Sequence, residues 1–135
     1  MNFSIIVACT GEGYIGVNNT IPWYIPDDLK YFKTITTGNA IHKNIVIMGR
    51  NTWESLPDQY KPLKDRINII ISNTLILDKK LNNVYVYKSL DEFFNNVKRF
   101  DYNEIFLIGG GQLYKAGLEE PYKSLCNKIY ITKKI

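Results

Sequence analysis

Histidine and cysteine are scarce in this sequence, and their scarcity narrows the chemistry open to it. The 135 residues include one histidine, His42, and two cysteines, Cys9 and Cys126, which have no CxxC spacing. A zinc site needs a cluster of Cys and His ligands and a disulfide framework needs several spaced cysteines, so neither is expected. Cys9 closes an apolar run and reads as a small buried residue. The first residues, MNFSIIVACTGEG, lack a basic n-region and a long apolar stretch. No signal peptide or membrane span is read there, and the default is a reducing, cytoplasmic setting. No Lys/Arg run is long enough for a nucleic-acid patch. Repeats, low-complexity segments and interdomain linkers are also missing, so residues 1–135 read as a single domain.

What remains is an ordinary globular composition, 45% hydrophobic and 22% charged. The net charge of +4 suits an anionic ligand such as a dinucleotide, although many soluble proteins carry a similar excess. Short apolar runs at 3–9, 44–48, 67–72, 84–87, 104–108 and 129–132 read as strands. Between them lie helical signals. Pro26 suits a first helical position, followed by Asp27 and Asp28 in the first turn, with the helix ending near Thr36 before Gly38-Asn39. A helical turn is expected near 53–56. Ser89-Leu90-Asp91-Glu92 is a capping box that starts a helix with Leu90, Phe93, Phe94 and Val97 on one face. A last helix is expected over about 112–120, stopped by Pro121. Near-continuous apolar strands alternating with helices predict an α/β fold, a mostly parallel sheet covered on both faces.

Two local features carry chemistry. Gly11-Glu12-Gly13-Tyr14-Ile15-Gly16 matches G-x-G-x-x-G directly after a strand, the mark of a dinucleotide-binding turn. That site requires a helix beginning within the motif, and Pro22 and Pro26 forbid one across the following stretch. A glycine-rich loop able to move fits better. The second feature is Asp28. Helical spacing sets Asp27 with Lys30, Tyr31 and Thr34, but sets Asp28 with Phe32 and Ile35 beside Leu29. An unpaired carboxylate on an apolar face is costly, so Asp28 either has a partner or is held for a ligand. With Trp23 and two prolines just before it, it could receive paired N–H groups from a flat, nitrogen-rich heterocycle.

At this point several segments together resemble the dihydrofolate reductase family. They are Ile15-Gly16, Ile21-Pro22-Trp23 and Pro26-Asp27-Asp28-Leu29 with Phe32; then Val46 through Leu56 (VIMGRNTWESL); then Pro62-Leu63 with Arg66; then Ile108-Gly109-Gly110-Gly111-Gln112-Leu113-Tyr114; and finally Ile129-Tyr130-Ile131-Thr132. These signatures run in family order along essentially the whole chain. The resemblance implies reduction of 7,8-dihydrofolate with NADPH, without a metal, and binding of antifolates such as methotrexate.

It also implies roles. Asp28 would grip the pterin's 2-amino group and N3, and raise N5 basicity through its charge. Thr132 would bond that carboxylate or its water, and Trp23 would belong to the loop that closes over the nicotinamide. Leu29, Phe32 and Leu63 would line the substrate pocket, and Arg66 would take the glutamate α-carboxylate in a two-pronged bond. The backbone of Ala8 would meet both the substrate and the nicotinamide carboxamide. For the cofactor the resemblance points to Ile15, Gly16, Gly49, Arg50, Asn51, Thr52, Ser72, Asn73, Gly109, Gly110, Gly111, Gln112, Leu113 and Tyr114, with a cis peptide at Gly109-Gly110.

Two departures stand out. Many relatives place an Arg at the position of Asn73 or Gln112 to read the 2′-phosphate, which puts discrimination against NADH in question here. Relatives also continue past the strand at 129–132, usually with two more strands, and some carry a fused thymidylate synthase domain. The chain then reads as a truncated product, the front of a longer chain, or a protein that completes its sheet by association. The competing readings are a reductase-like module that only binds nucleotide or antifolate, and a different nicotinamide enzyme built on the Gly11–Gly16 loop.

Overall fold

The computed structural model describes residues 2–10, 34–37, 41–77 and 81–134. The strands are β1 (Phe3–Thr10), β2 (Asn44–Gly49), β3 (Arg66–Ile71), β4 (Val84–Tyr87), β5 (Ile105–Gly109) and β6 (Cys126–Lys134). They form one six-stranded sheet in the order β4-β3-β2-β5-β1-β6, and every pairing is parallel. The α-helices are α1 (Arg50–Ser55), α2 (Leu90–Asn95) and α3 (Gly111–Gly117), with a further helical turn over residues 34–37.

The near-continuous apolar runs follow from a sheet buried on both faces, because successive side chains point to opposite sides. Ile5, Ile45, Ile47, Ile67, Ile69, Ile105 and Leu107 enter one core with Leu90 and Phe93 of α2 and Tyr114 of α3. Their alternates Ile6, Val46, Met48, Ile70, Phe106 and Ile108 enter a second core with Trp53 of α1, Leu56 and Leu63. Ile35, in the helical turn 34–37, packs against the second core. Fully burying each such aliphatic contributes about 1.5–3 kcal/mol, so the two layers outweigh local preference wherever they conflict.

That outcome explains where element boundaries depart from expectation. The last strand spans Cys126–Lys134 rather than 129–132, because β1 offers it backbone partners from Phe3 to Thr10. Pairing thus carries Asn127, Lys128, Lys133 and Lys134 into strand despite their weak propensity. The last helix ends at Gly117 rather than near 120. A Cβ at Gly117 would stand 2.7 Å from a methyl of Leu107, so glycine there lets α3 lie close on β5. The helix begun by Ser89 stops at Asn95, and a 3-10 turn at Val97–Arg99 still delivers Val97 to the core.

Candidate functional site

Parallel sheets bind ligands beyond the carboxyl ends of their strands, where the chain's direction of travel across the sheet reverses. Here β2, β3 and β4 step outward on one side, while β5 returns to the far side of β2. At that rim lies a cavity of about 370 Å³ lined by the turns after β2, β3 and β5. It brings together Gly49, Arg50, Asn51, Thr52, Ser72, Asn73, Gly110, Gly111, Gln112 and Leu113, all expected cofactor residues. Lys88, at the end of β4, lines it too. The sequence reading did not single out Lys88. The available signal was its place between a strand and the Ser89 cap, since every parallel strand ends at this rim.

The turns after β2 and β5 lie against each other, and glycine is required at Gly109 rather than at Gly49, where a Cβ would make only ordinary contacts. A Cβ on Gly49 would stand 3.9 Å from both Gly109 O and Gly110 N and 3.8 Å from Leu113. Gly109 has φ +138° and its peptide bond to Gly110 is cis, at the position expected. A Cβ on Gly109 would meet the Thr52 hydroxyl at 3.3 Å and the Tyr114 hydroxyl at 3.4 Å. Neither α1 nor α3, which open at Gly49 and Gly110, has a side-chain cap or an acidic residue in its first turn. Their first N–H groups therefore have no capping side chain to accept them.

Arg50 spans this rim. Its Nε donates to Glu54 Oε1 at 2.6 Å, and its Nη1 donates to Thr74 Oγ1 at 2.8 Å. The Ser72 hydroxyl accepts from the backbone N–H groups of Thr74 and Leu75 at 3.2 and 3.0 Å, which shapes the turn after β3. Tyr114 lies beneath the glycine turn rather than on the cavity wall. Its buried hydroxyl is 2.9 Å from Ile6 O and 2.7 Å from Ile108 O, tying β1 to β5. Burial pushes its phenol well above the ordinary range, so it stays a neutral donor.

A second group sits at the opposite rim. Arg66, which opens β3, is only 5% exposed. Its Nε donates to Lys64 O at 2.8 Å and its Nη1 to the Thr36 hydroxyl at 2.9 Å. Burial lowers its pKa to about 10, partly opposed by the Asp65 carboxylate. It is a buried cation and not a surface charge. Asn44 Nδ2 donates to Thr36 O at 3.0 Å, which holds the helical turn against the sheet. Leu63 is buried on the face that also carries Trp53 and Ile70. A strand of six residues separates this group from the cavity, about 20 Å at 3.3 Å per residue. Only an elongated ligand could touch both.

Ala8 and Thr132 are backbone neighbours in the β1–β6 pairing, toward the carboxyl ends of both strands. The expected residues Ile15, Gly16, Trp23, Asp28, Leu29 and Phe32, and the Gly11–Gly16 motif, lie outside the described residues. Among the described residues, no group of three or more His, Cys, Asp or Glu is placed to hold a metal ion.

Comparison with known proteins follows the same outline. A family model described as dihydrofolate reductase matches residues 2–134. Dihydrofolate reductase of Schistosoma mansoni is 38% identical over 135 residues, covering 96% of this chain and 73% of that protein. The solved structure of Schistosoma mansoni dihydrofolate reductase aligns with a TM-score of 0.84 at 40% identity, over 98% of this chain and 73% of that one. Bifunctional dihydrofolate reductase-thymidylate synthase 2 of Arabidopsis thaliana is 36% identical over 138 residues, covering 97% of this chain. The chain spans 24% of the length of that bifunctional relative.

Proposed function

The chain belongs to the dihydrofolate reductase family, and from that premise we propose that it reduces 7,8-dihydrofolate to 5,6,7,8-tetrahydrofolate with NADPH. One observation carries the reading. A polar cavity with two cations lies at the carboxyl rim, and a buried arginine lies a strand's length away on the same sheet. That spacing suits an elongated, acidic substrate whose flat head lies near the cofactor.

The residues present fit the cofactor. The cavity is lined by the two helix starts at Gly49 and Gly110, which have no side-chain caps and whose N–H groups suit phosphate. Arg50 and Lys88 supply charge, and Lys88 takes the 2′-phosphate role that Asn73 and Gln112 cannot fill. NADPH, when bound there, would supply the hydride needed at C6 of the pterin, with a proton required at N5. The chain's task is to hold two rings together and exclude water. Asp28 holds the 2-amino group and N3 of the pterin and favours charge at N5. Leu29, Phe32 and Leu63 pack along the substrate, and Arg66 receives its α-carboxylate. Methotrexate, which shares the flat head and acidic tail, binds in its place.

The test is NADPH oxidation by the purified chain on adding dihydrofolate, with methotrexate as inhibitor. Asp28→Asn should lower kcat by about 100-fold or more and leave the NADPH Kd within about twofold. Full turnover in that variant would sink the assignment of Asp28. Methotrexate binding without any turnover would replace catalysis by binding alone.

A further inference from the structure

Asn68 lies in the middle of β3 with its side chain fully buried, on the same face as Ile70. Its neighbours along the strand, Ile67, Ile69 and Ile70, are all apolar. A carboxamide there is costly unless bonded, so its bonds indicate what it is for. Oδ1 accepts the Leu63 N–H at 3.0 Å, and Nδ2 donates to Leu63 O at 3.0 Å and to Arg66 O at 3.1 Å. Both ends of the Leu63–Arg66 turn are thus held by one side chain. The turn itself contains Asp65 at φ +61°, a left-handed conformation uncommon for L-residues, in which Asp is among the more frequent. Arg66 Nε in turn holds Lys64 O. The main chain at Leu63 is fixed through both its N–H and its carbonyl, and that of Arg66 through its carbonyl.

We propose that Asn68 is a positioning residue for the tail half of the folate site. Its carboxamide sets the placement of Leu63 relative to Arg66, and through them the affinity for a benzoyl-glutamate group. The cofactor cavity, at the other end of the strand, does not depend on it, and neither does recognition of the flat head, which the folate reading assigns to other residues. The proposal rests on the folate reading, and its test separates the two.

Equilibrium binding to the full chain is measured for methotrexate, for 2,4-diamino-6-methylpteridine (the same kind of head without the tail) and for NADPH. The wild type should bind methotrexate more tightly than the fragment. In Asn68→Ala that advantage should shrink by about tenfold, while the fragment and NADPH Kd values stay within about twofold. Equal weakening of methotrexate and fragment, or an unchanged advantage in the folded variant, would overturn the positioning role alone. A wild type that binds neither compound would overturn the folate reading and this proposal with it. Should Asn68→Ala not fold, Asn68→Ser retains a hydroxyl for one of the partners. It should lose about threefold of the advantage, and an undiminished advantage in it would reject the proposal equally.

Discussion

The starts of α2 and of α1 and α3 are built from the same backbone and finished in opposite ways. Before α2, the Ser89 hydroxyl accepts the Glu92 N–H at 3.0 Å, and Asp91 and Glu92 place negative charge in the first turn. That helix end is satisfied by its own residues. Before α1 and α3 stands glycine, with no side-chain cap and no acid in the first turn. Those two ends instead open on the cavity with Arg50 and Lys88. A helix start left uncapped beside cations gives up local stability in a place that suits a phosphate. The contrast separates a helix capped by its own side chains from two that open uncapped on a cavity.

The comparison breaks most sharply at Gly109. Gly109→Ala forces a side chain into φ +138° and against the Thr52 and Tyr114 hydroxyls. It should cost about 3 kcal/mol or more of stability and weaken NADPH by more than about tenfold. Urea unfolding and a fluorescence titration would read the two effects, and native values for both in the Gly109→Ala variant would remove the turn from the site. Next in size is Lys88→Gln. NADPH affinity should fall about tenfold while NADH affinity changes less than about twofold. Equal loss for the two cofactors would mean that Lys88 does not read the 2′-phosphate. Smallest is Ser89→Ala, expected to lower stability by about 1 kcal/mol with an unchanged NADPH Kd. A cofactor effect there would erase the distinction between the two kinds of helix start.

Much of this was legible in the sequence. The six strands, the Ser89 cap and the glycine turn at Gly109-Gly110 follow from local pattern, since each is decided by residues within a few positions of one another. The family signatures also named ten residues that the fold then brings to a single cavity. Other features were not readable, for a common reason: they depend on partners distant in the chain. Arg66 could be a surface charge until its Nη1 was seen on the Thr36 hydroxyl, 30 residues away. Tyr114 reads as a cofactor residue, yet its hydroxyl serves Ile6, 108 residues earlier. Lys88 gains meaning only once β4 and β2 end at one rim. Asn68 looks like an interruption in an isoleucine run until its bonds to Leu63 and Arg66 appear.

By itself, then, the sequence determined the fold class, the alternation of buried strands and the family. These depend on periodicity and on short ordered motifs, which are local properties of the chain. Only the tertiary structure decided the order β4-β3-β2-β5-β1-β6, the length of β6, the burial of Arg66 and the meeting of the turns after β2, β3 and β5. Those depend on which surfaces find each other once two apolar layers close on the sheet, and pairing energy of that kind is not written at any single position.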